Sequence, residues 1–178
     1  MMRGGRRFHR RVVALLLSAF VGGCSGATVS QGPFGEAPSS SAIRFDFPLP
    51  RGGHVGSRET AGRATAVLFI TTFDLPSQAL AKRLDDVLRS HKPRANGVAV
   101  VLEAPKYAEL AQAFGESLGL SYPVAMADQA ALEGDGPFGD IREVPVMVVL
   151  DYRGLEVARY AGVPSVDQIE DALSRGAR

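Results

Sequence analysis

Residues 66–77 read AVLFITTFDLPS, and this stretch decides the fold. It begins inside a largely apolar run from Ala64 to Thr71, which is typical of a strand buried in the middle of a sheet. It ends in a helix start, because Asp74 can accept hydrogen bonds from first-turn N–H groups and Pro76 lacks an N–H that this turn would leave unpaired. We expect the helix to cover residues 77–90. A buried strand that leads directly into a helix indicates an α/β protein.

The alternation of strands and helices continues on both sides of this stretch. Upstream, Ile43, Phe45 and Phe47 alternate with polar residues as in a half-buried strand. Downstream, the pattern predicts strands at 98–102, 124–127, 144–150 and 155–160, and helices at 107–118 and 165–174. The last helix is opened by a capping-box sequence, Ser165 to Gln168. This order predicts a central mixed sheet flanked by helices, parallel in its first half and antiparallel in its second.

The N-terminal segment has the pattern of an export signal. Five arginines precede an apolar stretch at 12–20, and no acidic residue precedes Cys24. The sequence Val21-Gly22-Gly23-Cys24 resembles a bacterial lipobox, which implies that residues 1–23 are a signal peptide and that Cys24 is acylated. An alternative is that Cys24 is an ordinary buried residue. The pair Arg6-Arg7 leaves twin-arginine export open as the route.

Composition after Cys24 indicates a tether followed by one folded domain. Residues 24–42 are rich in Ser, Gly and Pro, so they cannot bury enough apolar surface to offset their ordering entropy, and we expect a flexible tether. The domain is expected at 43–178. Of the 20 Lys and Arg residues, five precede Cys24, so 15 face 19 acidic residues in the remainder, a net charge of −4. An acidic chain gives no electrostatic reason to bind nucleic acid.

The order of elements and two local motifs resemble the thioredoxin-like superfamily, most closely its TlpA-like redoxin branch. Phe69 and Phe73 match aromatic positions that flank the active site of that family. Residues 143–154 (EVPVMVVLDYRG) match the segment in which the family carries a cis-proline. The resemblance covers about residues 43–174 and implies a thioredoxin-like fold with a cis peptide bond between Val144 and Pro145.

The resemblance also implies that the usual chemistry is missing. Asp74 and Ser77 stand where the family has its two redox cysteines, and Leu68 stands where classical thioredoxins have a buried acid. Cys24 is the only cysteine in the chain. A carboxylate cannot attack a disulfide and a Ser hydroxyl cannot resolve one. We therefore expect no catalytic residue at these positions, with Asp74 acting as a helix cap.

Other chemistries have little support in the sequence. His54 and His91 show no metal-ligand spacing, so we expect no metal site and no cofactor. Ser77 has no neighbouring His that would make it a nucleophile. The pair Asp85-Asp86 is expected on the exposed face of its helix, and residues 135–140 as a loop, with an ion site there as an alternative.

Together these features predict a membrane-anchored, thioredoxin-like lipoprotein that binds an envelope protein or peptide without catalysis. The expected binding surface lies between Phe73 and Asp74 on one side and Val144 and Pro145 on the other, since an extended peptide can be held there by backbone hydrogen bonds. Ser25 follows Cys24 where an inner-membrane signal would place Asp, which favours the outer membrane, facing the periplasm. The alternatives are a TlpA-like thiol–disulfide or peroxide oxidoreductase of the cell envelope with weak activity, an enzyme that uses Asp74 in unrelated chemistry, and a purely structural envelope component.

Overall fold

The computed structural model describes residues 41–178. The predicted signal peptide, Cys24 and nearly all of the predicted tether lie outside the described residues. The described strands are β1 (Asp46–Pro48), β2 (His54–Gly56), β3 (Thr65–Ile70), β4 (Asn96–Val101), β5 (Val124–Met126), β6 (Val146–Leu150) and β7 (Glu156–Ala161). The helices are α1 (Leu75–Ser90), α2 (Ala108–Ser117), α3 (Gln129–Glu133) and α4 (Val166–Gly176), and a 3₁₀ turn, Pro105–Tyr107, precedes α2.

Five strands form the central sheet in the order β5-β4-β3-β6-β7. Strand β3 pairs in parallel with β4, and β4 pairs in parallel with β5. On the other side, β3 pairs antiparallel with β6, and β6 pairs antiparallel with β7. The sheet is thus parallel in its first half and antiparallel in its second, which confirms the predicted fold class. Strands β1 and β2 form a separate antiparallel pair.

The central position of β3 explains its apolar sequence. All six of its residues are buried, since neighbouring strands flank both edges and side chains cover both faces. One face packs against helices α1 and α4 through residues such as Leu80, Leu84, Ile169 and Leu173. The other face carries a cluster of aromatic rings. In this cluster Phe69 contacts Phe138 at a centroid distance of 5.0 Å and Phe47 at 6.4 Å.

Helix boundaries follow local capping. Helix α1 starts at Leu75, two residues before the predicted start, because Asp74 is its N-cap and Pro76 lies in its first turn. Helix α4 has the predicted capping box, in which Ser165 accepts from the N–H of Gln168 and the Gln168 side chain accepts from the N–H of Ser165. Helix α3 was not predicted from the sequence.

The expectation that Asp85 is exposed is wrong. Its side chain is completely buried, whereas that of its neighbour Asp86 is largely exposed. Asp85 accepts hydrogen bonds from the backbone N–H of Ser121 at 2.8 Å, from the Ser121 hydroxyl at 2.6 Å and from Nε of Arg89 at 2.7 Å. Burial is tolerated because the carboxylate is paired and hydrogen-bonded. Asp85 therefore joins α1 to the loop before β5.

The strand predicted around Ile43 to Phe47 is shorter and later than expected. Strand β1 starts at Asp46, and Ile43 and Phe45, which precede it, bond elsewhere. Phe45 donates its N–H to the Ser57 hydroxyl at 2.9 Å, and Ile43 donates its N–H to the Gly154 carbonyl at 2.8 Å. The segment still buries Ile43, Phe45 and Phe47, as their alternation predicted.

Candidate functional site

The segments around Asp74 and Pro145 meet at one edge of the sheet. Strand β3 ends at Ile70 and the antiparallel strand β6 begins at Val146, with Phe69 directly opposite Val146. The chain therefore leaves β3 towards Asp74 at the same edge where it enters β6 through Val144 and Pro145. We call the surface formed by Phe73, Asp74, Leu75, Val144 and Pro145 the Asp74 edge.

The Asp74 carboxylate is engaged within its own turn. Its Oδ1 accepts a hydrogen bond from the backbone N–H of Ser77 at 2.8 Å, and its Oδ2 accepts one from the hydroxyl of Thr71. The backbone of Asp74 is extended, as is usual for an N-cap residue. This geometry confirms the prediction that Asp74 caps the helix.

Hydrogen bonding also sets the charge state of Asp74. Burial alone would raise the pKa of this carboxyl, but the hydrogen bonds from Ser77 and Thr71 stabilise the ionised form, and the net result is a pKa below the ordinary value. Asp74 is thus an anion at neutral pH. It is a poor proton donor and a weak general base there.

Ser77, at the second position for which the family resemblance implies a cysteine, is a structural residue. Its side chain is completely buried, and its hydroxyl accepts a hydrogen bond from the backbone N–H of Thr71 at 3.2 Å. Asp74 and Ser77 thus both bond to Thr71, and together they close the turn between β3 and α1. A hydroxyl that is buried and engaged in this way is not presented to a substrate.

Two large apolar side chains flank Asp74 and are exposed. Phe73 has 78% of its surface accessible and Leu75 has 77%, the highest values among the large hydrophobic residues of the described chain. When a partner covers apolar side chains that are this exposed, apolar surface is removed from water, and this contributes favourably to the free energy of binding. Their position beside the capped turn gives the Asp74 edge an apolar rim.

The other side of the Asp74 edge is the loop that contains Val144 and Pro145, which we call the proline loop. The peptide bond between Val144 and Pro145 is cis, which confirms the prediction. The Pro145 carbonyl accepts from the N–H of Gly162 at 2.8 Å, which fixes the loop to the start of the β6–β7 pair. Within the described part of the chain, the N–H and carbonyl of Val144 have no hydrogen-bond partner. A backbone unit of this kind can pair with an added extended segment.

Sequence analysis missed one residue that shapes this site. Oε1 of Glu103 accepts hydrogen bonds from the backbone N–H of Thr72 at 2.6 Å and from the Thr72 hydroxyl at 2.8 Å. Glu103 follows the end of β4, and the carboxyl ends of parallel strands meet at the same edge of a sheet. Its position after β4 was the available signal. Glu103 holds the turn that presents Phe73.

The remaining candidate residues lie outside this arrangement. His54 contacts Asp46 at 3.1 Å in the β1–β2 pair, and His91 is buried at the C-terminal end of α1. Leu68, at the position for which the family resemblance implies a buried acid, is completely buried in the core. Among residues 41–178 there is no cysteine and no cluster of His, Asp and Glu that could hold a metal ion. No described helix is both long enough and apolar enough to span a bilayer.

Comparison with known proteins gives matches of structure only. No protein-family model matches the sequence, and the search of curated proteins finds no match. A thiol:disulfide interchange protein of the thioredoxin family from Chlorobium tepidum TLS is 21% identical, with a TM-score of 0.63 over 77% of this chain and 95% of that one. A secreted Mycobacterium tuberculosis disulfide oxidoreductase is 15% identical, with a TM-score of 0.62 over 75% and 96% of the two chains.

A third structure extends the range of chemistry among the neighbours. The bacterioferritin comigratory protein of Xanthomonas campestris, described for its alkyl peroxide reduction activity, is 17% identical, with a TM-score of 0.60 over 75% of this chain and 92% of that one. These neighbours are thioredoxin-like redoxin proteins, and at such identities the similarity concerns the fold. The described residues 41–178 therefore have the thioredoxin fold.

Proposed function

We propose that this protein is a non-catalytic, thioredoxin-fold lipoprotein of the bacterial envelope that binds an extended segment of a partner protein at the Asp74 edge. Cys24 supplies the lipid anchor, residues 25–42 the tether and residues 43–178 the binding domain. In this proposal the membrane is the outer one, with the domain facing the periplasm. The partner is an envelope protein or peptide.

The observation that carries the proposal is the pairing of an engaged Asp74 with exposed apolar neighbours. The Asp74 carboxylate and the Ser77 hydroxyl are both committed to the turn, which leaves neither for chemistry. Phe73 and Leu75 are nevertheless exposed beside them. A site that has lost its reactive groups but keeps an apolar rim is suited to binding.

The mode of binding follows from the backbone of the proline loop. A partner strand would pair with the N–H and carbonyl of Val144, while Phe73 and Leu75 cover its apolar side chains. Recognition of this kind obtains affinity from backbone hydrogen bonds and specificity from alternate side chains. It needs neither a thiol nor a cofactor.

A second candidate function is thiol–disulfide or peroxide chemistry. It is favoured by the neighbours, which are described as a thiol:disulfide interchange protein, a disulfide oxidoreductase and a protein with alkyl peroxide reduction activity. It is opposed by the sequence, because the only cysteine is Cys24 and that residue precedes the domain. Activity would then need a thiol from another molecule.

Affinity purification from envelope extracts tests the proposal. The full-length wild type is compared with Val144→Asp, which places a charge in the proposed binding surface, and with Asp74→Asn, which keeps a capping side chain. Tyr152→Asp is the control, since it changes an exposed aromatic residue in the turn after β6, at the other end of the sheet. We expect a partner that is lost only with Val144→Asp. Partners that persist in Val144→Asp, or that disappear with Asp74→Asn while the protein stays folded, would contradict the proposed mode.

A further inference from the structure

A cavity of about 550 Å³ lies at the edge of the sheet opposite the Asp74 edge. Arg63 comes just before β3, Asn96 begins β4, and Ser121 to Pro123 lead into β5, so the cavity lies at the amino ends of the three parallel strands. Its volume is within the range of about 300–1,000 Å³ that is usual for small-molecule sites. The function proposed above makes no use of it.

Basic side chains dominate the charge of this cavity. Four cationic residues line it, Arg63, Arg89, Lys92 and Arg94, against a single carboxylate, Glu59. Glu59 already accepts a hydrogen bond from the N–H of Gly56 at 2.9 Å. The lining is therefore basic, although residues 24–178 carry more acidic than basic residues.

Three of these cations have no partner of their own among residues 41–178. Arg89 is neutralised by the buried Asp85, at 2.7 Å, and also donates to the Gly119 carbonyl at 3.0 Å. The side chains of Arg63, Lys92 and Arg94 make no ion pair and no hydrogen bond with any residue that the structure describes. Like charges gathered around a concave surface repel one another and raise the local concentration of anions.

Apolar groups complete the wall. Leu88 and the ring of Tyr122 line the cavity, and the Tyr122 hydroxyl is turned to the Ala81 carbonyl at 2.8 Å. Tyr122 therefore offers its ring to the cavity, because its polar atom is already bonded. The combination of cations and an apolar wall fits a ligand with a charged end and an uncharged body.

We propose that this cavity binds a ligand that bears a phosphate group, held by Arg63, Lys92 and Arg94. Three unpaired cations exceed the charge of a single carboxylate, whereas a phosphate monoester carries about −1.5 to −2 at neutral pH and three acceptor oxygens. The planar fork of Arg matches phosphate oxygens with two parallel hydrogen bonds, and Lys adds a point charge. The phosphate can belong to a soluble organic phosphate or to the headgroup of an anionic lipid.

Calorimetric titration with inorganic pyrophosphate tests this site in the full-length protein reconstituted into phosphatidylcholine vesicles. We expect saturable binding with one site per chain. The double variant Lys92→Gln/Arg94→Gln should weaken the affinity by about tenfold or more, since loss of two charge-assisted contacts exceeds the 1.4 kcal/mol of a tenfold change. The matched control is Arg44→Gln/Lys106→Gln, which removes one Arg and one Lys outside the cavity and should change the affinity by less than about twofold.

A second titration, in vesicles that also contain phosphatidylglycerol, separates the two sources. If phosphatidylglycerol leaves the pyrophosphate affinity of the wild type unchanged, the site is assigned to a soluble phosphate. If the lipid weakens the affinity of the wild type but not that of the cavity variant, its headgroup competes for the cavity and the site is assigned to the headgroup. Either result supports the proposal. The absence of saturable pyrophosphate binding, or an equal affinity in the wild type and the cavity variant, would overturn it. Circular dichroism of both double variants verifies that they are folded.

Discussion

The carboxylate of Asp74 accepts a hydrogen bond from the backbone N–H of Ser77 at 2.8 Å and thereby caps α1, the helix that follows the central strand β3. In the thioredoxin-like proteins that this chain resembles, these two positions hold the redox cysteines. Here the same positions are joined by a capping hydrogen bond, and Thr71 bonds to both side chains. The turn between β3 and α1 is thus closed by side-chain hydrogen bonds among Thr71, Asp74 and Ser77.

The first prediction concerns the stability that this cap provides. Asp74→Ala removes the acceptor of the Ser77 N–H and should lower the free energy of unfolding by roughly 1–2 kcal/mol. Asp74→Asn and Asp74→Ser retain a capping oxygen and should cost less than about 1 kcal/mol. Urea unfolding of the three variants measures these differences. Equal losses for Ala and Asn would show that the cap is not what stabilises this turn.

The second prediction concerns acid stability and Asp85. Burial raises the pKa of Asp85, but hydrogen bonds from Ser121 and Arg89 outweigh it, so its pKa in the folded protein lies below the ordinary 3.8. A lowered folded-state pKa contributes stability above the unfolded pKa, and this contribution is lost as the pH falls through the folded pKa. The wild type should therefore lose stability below about pH 4.

Two matched variants test whether Asp85 causes this loss of stability at low pH. Asp85→Asn cannot ionise, so its deficit relative to the wild type should be largest near neutral pH and should shrink as the pH falls below about 4. Asp86→Asn, at the exposed neighbouring position, should follow the wild-type profile. Unfolding curves across this pH range provide the measurement. A deficit of Asp85→Asn that stays constant with pH would argue against a charged Asp85 in the folded state.

The burial of Asp85 illustrates which features could be predicted from the sequence and which could not. The apolar run of β3 and the capping box of α4 are local patterns, and the structure confirms both. The burial of Asp85 depends on Ser121, which is 36 residues away in the chain. No local sequence pattern indicates a partner so far away, so Asp85 and Asp86 could not be distinguished from the sequence.

The candidate site divides in the same way. The cap at Asp74 and the cis bond before Pro145 could be predicted, because each depends on adjacent residues and on the family resemblance. The contact between Thr72 and Glu103 was not predicted, because it depends on the register of β3 against β4, and the position of Glu103 after β4 was the only signal for it. Helix α3 was missed because it has only five residues and relies on the Asp128 side chain, which accepts from the N–H of Ala131.

The third prediction concerns redox chemistry. The full-length protein should not accelerate insulin reduction by dithiothreitol, since Asp74 and Ser77 cannot form a mixed disulfide. The double substitution Asp74→Cys/Ser77→Cys should confer activity, because a thiolate at the start of α1 is stabilised by the helix dipole and by free N–H groups. Clear turnover by the wild type would refute the non-catalytic proposal, and inactivity of the folded double variant would show that the scaffold has changed in other respects.

The fourth prediction concerns the anchor. Cys24→Ala should abolish the incorporation of labelled palmitate and leave the signal peptide uncleaved, because the acylated cysteine is the new N-terminus in the proposed processing. Several acyl chains give a stable attachment that one chain does not. Fractionation of the wild type should place it in the membrane, and complete recovery in the soluble periplasm would contradict the lipobox assignment.

Photo-cross-linking from position 73 tests the central claim most directly. A benzoyl-phenylalanine replaces Phe73 in the full-length protein in intact cells, and the control carries it in place of Tyr152, an exposed aromatic residue at the other end of the sheet. We expect a discrete adduct from position 73 that is absent at position 152, persists with Asp74→Asn and is lost with Val144→Asp. Adducts that are the same at both positions, or that survive Val144→Asp, would contradict binding at the Asp74 edge.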